Sequence, residues 1–293
     1  MHRLVFYLAY PFIWVFSKLP FRILYIISDL IYVLFFYVIG YRKKVVLSNL
    51  KLVFPNKNEK DLLQVQKKFF RHFVDSLIEG IKGFTISEES IKQRYSYKNI
   101  EVLNALHSKG KSIILVSSHY ANWEWLIGLP LHTPINLHGS YTKIQNKYFE
   151  DLIKESRSKF GMKCVKSSEI IKNIMTDVKQ QKQGLYLLIS DQSPQLHKSQ
   201  YWTEFLNVKV PIFTGAEMIS KKFDFAVVNM NTTKLKRGYY ESEFKLITET
   251  PKTLKQHEIT NAYLRLTEAH VYKQPEYYLW SHKRFKHKDH APK

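Results

Sequence analysis

One segment of the chain, Ser117–Trp125 (SSHYANWEW), contains the side chains best suited to acid–base chemistry. His119 and Glu124 are five positions apart, and on one continuous helix they would point about 140° away from each other. If His119 lies in a turn and Glu124 in the first turns of a following helix, the carboxylate can fold back onto the imidazole. A carboxylate on one ring nitrogen fixes the tautomer and makes the other nitrogen a better base. Such a pair could remove a proton from a substrate hydroxyl.

Other chemistries find little support in the sequence. A histidine and a glutamate at this spacing are most often an ordinary surface pair, so the spacing alone does not establish a site. Ser118 adjoins His119 but lacks the Gly-x-Ser-x-Gly frame of a serine nucleophile. The single cysteine, Cys164, excludes an intrachain disulfide framework and multi-cysteine metal sites. There is no glycine-rich dinucleotide motif or Walker loop, and we predict no metal and no cofactor.

The elements that must position this segment are predicted to be strands alternating with helices. Continuous apolar runs, typical of strands buried on both faces, occupy residues 112–117, 185–190 and 225–230. Helical stretches lie at 146–160, 168–182 and 215–222, followed by a strand at 241–248 and a helix at 253–272. This alternation predicts an α/β fold with a mostly parallel central sheet flanked by helices. His119 then follows the carboxyl end of a buried strand, where such sheets place their sites.

The N-terminal region predicts an apolar helical membrane anchor over residues 1–45, with a second domain over residues 46–293. Apolar runs cover residues 4–16 and 21–40, and the second is long enough to cross a bilayer. No small-residue cleavage site follows the first run, so we do not expect a cleaved signal peptide. Asp29 lies within the second run and is costly on an isolated spanning helix. A one-sided hairpin or tilted helix therefore competes with a simple span, and a buried hairpin of a soluble protein is the further alternative.

The charge of the chain favours anionic partners. It has 45 lysines and arginines against 25 acidic residues, a formal net charge of +20. Such an excess suits an acidic membrane surface, an acidic protein or nucleic acid. Charge alone does not choose among these partners.

Six motifs follow one another in order along nearly the whole chain. They are Gly40–Val46 with Asn49-Leu50 and Phe54-Pro55; Ser118–Glu124; Tyr141 with Asn146-Lys147, Ser156-Arg157 and Phe160-Gly161; Asp191-Gln192; Phe205-Leu206 with Pro211 and Thr214-Gly215; and Pro275–Lys286. Together they resemble the lauroyl/myristoyl acyltransferases of lipid A biosynthesis, a branch of the lysophospholipid acyltransferase superfamily. Where that family usually has a cation after the tyrosine of the third motif, this chain has Thr142, with Lys143 one place later.

The resemblance implies a glycerolipid acyltransferase-like fold and a His119–Glu124 general-base dyad without a covalent acyl-enzyme. The reaction would move a fatty acyl chain from acyl carrier protein to a hydroxyl of a lipid A precursor or related glycolipid. It would take place at the cytoplasmic face of the inner membrane, next to anionic lipid and without nucleic acid as a partner. Substrate-binding roles are implied for Asn122, Trp123, Tyr141, Lys143, Arg157, Asp191, Gln192 and Arg284.

Two other functions remain open from the sequence. The acceptor could be an aminolipid, such as a glycine-, ornithine- or lysine-linked hydroxy fatty acid, with the same chemistry. The chain could also be a non-enzymatic basic protein that binds membranes or nucleic acid, although His119 and Glu124 after a buried strand argue against it.

Overall fold

The computed structural model describes residues 2–292, and its central element is a seven-stranded sheet. The strands of this sheet and of a separate two-stranded hairpin are β1 (Tyr95–Lys98), β2 (Ile113–Ser117), β3 (Leu137–Tyr141), β4 (Lys163–Lys166), β5 (Leu185–Ile189), β6 (Tyr201–Phe205), β7 (Val208–Ile212), β8 (Ala226–Lys236) and β9 (Tyr239–Thr248). The order across the sheet is β1-β9-β8-β2-β5-β3-β4, and only the β8–β9 pair is antiparallel. The fold is therefore α/β with a mostly parallel sheet, as predicted.

Helices flank this sheet and form the N-terminal region. They are α1 (His2–Lys18), α2 (Phe21–Val33), α3 (Lys43–Val53), α4 (Glu59–Gly83), α5 (Glu88–Arg94), α6 (Glu101–Ser108), α7 (Lys147–Ser158), α8 (Ile170–Lys179), α9 (Gly215–Phe223) and α10 (Glu258–Lys273). A π-helical turn, Leu34–Ile39, continues α2, and a 3₁₀ helix, Glu124–Leu131, follows β2.

The apolar runs of the sequence form the centre of the sheet. All five residues of β2 are buried, and β2 lies between β8 and β5. Its register with β5 pairs Ile113 with Leu185 and Ser117 with Ile189, so the carboxyl ends of the two strands are level. The chain that leaves β2 and the chain that leaves β5 therefore start side by side at one edge of the sheet.

The long helix α4 packs beneath the segment that follows β2. Its N-terminus is capped by Asn58, whose side chain accepts a hydrogen bond from the Asp61 backbone N–H. Phe70, Val74 and Ile78 recur at helical spacing and are buried against the core. Leu63 and Leu77 lie on the same side of the helix at 3.6 residues per turn, but both are exposed.

The N-terminal helices pack against the rest of the chain on one side only. The Phe21–Ile39 helix is long and apolar enough to cross a membrane, by length and composition. However, its Leu24, Tyr32 and Phe36 are buried in the common core, with α2 packed along α4. Asp29 is not an isolated charge, because Arg237 binds both of its carboxylate oxygens at 2.8 and 3.0 Å. The opposite side of this helix exposes its apolar residues.

Candidate active site

His119 lies just beyond the carboxyl end of β2, in a loop held by the C-terminal segment. The His119 carbonyl accepts a hydrogen bond from the Leu279 backbone N–H at 3.1 Å, and the Ala121 N–H donates to the Tyr277 carbonyl at 2.9 Å. Ala121 has a φ of +52°, a left-handed conformation that is uncommon for a residue with a side chain. These contacts explain why the closing motif of the sequence accompanies the His119 motif.

A buried carboxylate fixes the His119 ring. The Oδ1 atom of Asp191 lies 2.7 Å from Nδ1 of His119 and also accepts the His119 backbone N–H at 3.0 Å. Since the carboxylate accepts a hydrogen bond, Nδ1 is the protonated nitrogen and Nε2 carries the lone pair, which can accept from the Gln192 side-chain amide. The Gln192 side-chain amide lies 3.3 Å from Nε2, and the Trp123 ring packs edge-on against the imidazole. His119 is thus presented as a base through Nε2.

The strand register explains why Asp191 meets His119. Ser117 pairs with Ile189, and both His119 and Asp191 lie two residues further along. Burial by itself raises the pKa of the Asp191 carboxyl, but attraction to His119 and its hydrogen bonds with the ring and backbone bring that pKa below its ordinary value. Asp191 is therefore ionised near neutral pH and can stabilise a positive charge on the imidazole.

Glu124 pairs with an arginine instead of with His119. The Arg157 guanidinium on α7 donates from Nη2 to Oε1 at 2.7 Å and from Nε to Oε2 at 3.1 Å, a bidentate pair. Burial lowers the pKa of Arg157, but the charge of Glu124, its hydrogen bonds and the nearby Cys164 together raise that pKa above its ordinary value, so the guanidinium remains charged.

The predicted contact between Glu124 and the His119 ring is therefore absent from the structure. Asp191 and Glu124 are the carboxylates bonded to His119 and Arg157, respectively, and no Glu124 oxygen lies within 4.0 Å of a His119 ring nitrogen. The left-handed Ala121 turns the chain before Glu124, which then begins a 3₁₀ helix directed toward α7. The group that orients the imidazole is Asp191, for which the sequence implied only substrate binding.

A cavity of about 760 Å³ opens beside His119, Glu124, Arg157 and Gln192. Its size is in the usual range for a ligand site. Beyond these polar groups its walls are mainly apolar, with side chains from both sides of the sheet: Leu126, Ile127, Met162, Ile170, Leu187 and Ile219. The arrangement places a base and a cation at one part of a cavity that suits a hydrocarbon chain.

The other predicted binding residues fall into two groups. Trp123, Tyr141, Arg157 and Gln192 line the cavity with His119 and Glu124. The remaining ones do not: Asn122 and Arg284 are buried behind it, Asp191 lies beneath His119, and Lys143 is exposed on the surface.

The predicted substrate-binding role of Arg284 does not fit its surroundings. Its guanidinium donates to Ser193 Oγ and to the Pro211 carbonyl, both at 3.2 Å, and packs over the Phe205 ring. Burial lowers its pKa, and the positive charge supports the loop that holds Asp191. Arg284 is therefore a supporting residue of the site.

Glu79 is a buried glutamate of α4 that was not predicted from the sequence and that holds the loop between His119 and Glu124. Its carboxylate accepts hydrogen bonds from Asn122 Nδ2 and Tyr240 Oη, both at 2.7 Å, and from Tyr25 Oη at 2.8 Å. Its backbone carbonyl accepts the Trp125 indole N–H at 2.9 Å. An available signal was a second acid four positions after Asp75, which places both acids on the same side of the helix.

Glu79 should make stability depend on pH. Burial raises its pKa to about 7, from an ordinary 4.5, although Lys234 acts in the opposite direction. A carboxyl whose pKa is raised by folding contributes most when protonated, so its contribution should fall as pH rises from about 4.5 to 7. In Glu79→Gln this fall should be missing, and unfolding of both proteins in detergent at pH 5 and pH 7.5 measures it.

The Glu79→Ala variant removes the side-chain hydrogen bonds of Glu79 and is compared with Glu79→Gln. It leaves three donors without their acceptor, at about 1–3 kcal/mol for each buried group, so it should be much less stable than Glu79→Gln at both pH values. Equal stability of the two variants, or the same pH response in Glu79→Gln and the native protein, would contradict this role.

The geometry matches one chemistry well, proton removal from a group that reaches Nε2 of His119. Among residues 2–292, no group of three or more His, Cys, Asp or Glu side chains is arranged to hold a metal ion.

A search of curated proteins finds no match for the chain. Residues 1–287 match the family model described as bacterial lipid A biosynthesis acyltransferase, in agreement with the resemblance of the six motifs. The chain thus belongs to the bacterial lipid A biosynthesis acyltransferase family.

Proposed function

We propose that this protein transfers a fatty acyl chain from acyl carrier protein to a hydroxyl of a lipid A precursor or related glycolipid. The observation that carries the proposal is the His119 imidazole, fixed by the buried Asp191 and facing a largely apolar cavity of about 760 Å³. Family membership supports acyl transfer, and the +20 net charge suits both an acidic donor protein and an anionic membrane surface.

In this reaction His119 acts as the general base. Nε2 takes the proton of the acceptor hydroxyl while its oxygen attacks the thioester carbonyl, and Asp191 stabilises the imidazolium. The tetrahedral intermediate then expels the thiolate, which recovers the proton from Nε2, so an ester and a free thiol result. Among residues 2–292 the ring nitrogens of His119 have hydrogen-bonding contacts with Asp191 and Gln192 and with no hydroxyl or thiol, which favours direct transfer.

The Glu124–Arg157 pair has a separate role. Glu124 holds the guanidinium in the cavity wall through Nε and Nη2, so the N–H groups of Nη1 remain for a ligand. A fixed cation beside a reacting carbonyl stabilises the negative charge that develops on its oxygen. Glu124 therefore acts on catalysis through Arg157.

The exposed apolar sides of α1 and of the Phe21–Ile39 helix form the proposed membrane surface. It contains Leu4, Leu8, Phe12, Val15, Ile26, Leu30, Val38 and Ile39, each about half exposed or more. Because the other side of the Phe21–Ile39 helix packs on α4, lipid cannot surround it. One-sided insertion from the cytoplasmic face of the inner membrane fits this arrangement better than a simple span.

From the proposed membrane surface we predict which conditions extract the protein from membranes. Full-length protein should stay on membranes in 1 M salt and leave in detergent, because salt screens charge but does not weaken apolar insertion. The double variant Leu30→Glu/Val38→Glu should become extractable by salt. Met218→Glu, at a methionine that is 56% exposed on α9, is the control and should remain bound. Release of the native protein by salt alone would show that these helices do not insert.

The acceptor can be identified from cells. Lipids extracted with and without the gene should differ by one acyl chain, and mass spectrometry names the molecule that lacks it. Loss of an acyl chain from lipid A supports the proposal, whereas loss from a glycine-, ornithine- or lysine-linked lipid would replace this acceptor with an aminolipid. Complementation with a His119→Ala gene should fail to restore the missing chain.

A further inference from the structure

Helix α8 presents an apolar stripe to solvent. Ile170, Ile174 and Asp177 form its buried side. Ile171, Met175 and Val178 are 46%, 43% and 43% exposed, and their spacing of four and three places them in one row along the helix. None of these three side chains belongs to the membrane surface or takes part in the proposed reaction. An exposed apolar row on a folded protein often marks a binding surface.

This stripe begins at the opening of the cavity. Ile171, its first residue, lines the cavity together with Phe213, which is 43% exposed just before α9. On α9 itself, Met218 is 56% exposed, one turn after the cavity-lining Gly215. We call Ile171, Met175, Val178, Phe213 and Met218 the mouth surface.

The accessible charge around the mouth surface is mostly positive. Lys172 and Lys179 on α8, Lys182 after it and Lys222 on α9 are exposed, and among residues 2–292 no carboxylate lies within 4.0 Å of them. Glu169, which precedes α8, is exposed. The acids within the two helices are turned inward: Asp177 accepts from Asn173 and Tyr186, and Glu217 accepts from Thr260 and Lys221.

The mouth surface also lies on the side of the sheet opposite to α1. In β3, His138 contacts Asn173 of α8, whereas Tyr141 bonds Glu150 of α7. Residues three apart on a strand point to opposite faces, so α7 and α8 cover opposite faces of the sheet. Phe6 of α1 packs against two aromatic rings of α7. A bilayer that contacts α1 therefore leaves the α8 side toward water.

We propose that the mouth surface docks the acidic carrier protein that brings the acyl chain, an inference that rests on the proposed function. Such a partner is water-soluble and strongly acidic, and it must deliver its thioester next to the cavity opening. The apolar stripe would supply the buried contact, and the four lysines would steer and orient the carrier. A lipid surface could bind the apolar row and the lysines. However, the mouth surface lies on the side of the sheet away from α1, where the proposed bilayer does not reach.

Two doubly substituted proteins test this docking with matched charge changes. Met175→Glu/Lys179→Glu alters the mouth surface at residues outside the cavity lining. Lys245→Glu/Leu246→Glu makes the same charge change on β9, at one lysine and one leucine that are also exposed. Each is assayed with the same acyl chain on carrier protein and on pantetheine alone, and thermal unfolding confirms that both fold.

The mouth-surface variant should show a KM for the carrier-bound donor raised by about tenfold or more, with kcat nearly unchanged. Its kinetics with the pantetheine donor, and both donors with the β9 variant, should match the native protein. Native kinetics of the mouth-surface variant with the carrier-bound donor would overturn the docking proposal and leave the proposed function standing. If the native protein uses the pantetheine donor but not the carrier-bound donor, both the docking proposal and the proposed function are wrong. If the mouth-surface variant is released from lipid vesicles, the mouth surface contacts lipid and not the carrier protein.

Discussion

The His119→Ala variant is expected to lose acyl transfer by about 10²–10⁴-fold, the usual contribution of a general base. Nε2 of His119 is the basic atom fixed toward the cavity by Asp191, and within the described residues 2–292 no hydroxyl or thiol contacts that ring to act as a nucleophile. Substrate binding should change little, so the loss should appear in kcat. Initial rates with acyl carrier protein donor and a lipid A precursor measure it.

A histidine outside the cavity provides the control for this change. His132 is exposed just after the 3₁₀ helix that begins at Glu124, and His132→Ala should keep the native rate. A His119→Ala protein with near-native turnover would remove the proposed mechanism.

The Asp191→Asn variant is expected to lower kcat by about a hundredfold or more while the protein stays folded. The asparagine oxygen can still accept the His119 backbone N–H, but the negative charge that stabilises the imidazolium is gone. Asp191 acts through His119, so the double variant His119→Ala/Asp191→Asn should be no slower than His119→Ala alone.

The Glu124→Gln variant separates the role of the Glu124 carboxylate from that of Asp191. Glu124 contacts Arg157 and not the imidazole, so its loss should slow a His119→Ala protein further. The opposite result would be a further loss of rate when Asp191→Asn is added to His119→Ala and no further loss when Glu124→Gln is added. That result would assign the orienting role to Glu124, as the spacing in the sequence suggested.

The sequence predicts the centre of the fold well because that part is encoded locally. The runs that form β2, β5 and the start of β8 are continuous and largely apolar, and most of their residues are buried on both faces of the sheet. The strands at the margin, such as β3 (LHGSY) and β4 (KCVK), were not predicted. They are short and contain polar residues, and they become strands through pairing with β5 and with each other.

The site was predictable only in part, for a related reason. His119 was found from its place after a strand, but its partner Asp191 is 72 positions away and is specified by the β2–β5 register. Glu124 was assigned to His119 by spacing, whereas Arg157, 33 positions further on, binds it. Interactions between distant residues decide these contacts, and local periodicity does not contain them.

The most direct test of the account is a reaction with purified protein, acyl carrier protein loaded with a defined acyl chain, and a lipid A precursor. Mass spectrometry of the lipid should show the gain of one acyl group as an ester with the native protein, and no detectable gain in the same time with His119→Ala. An unchanged precursor with the native protein, or equal acylation by His119→Ala, would contradict the claim that His119 catalyses this transfer.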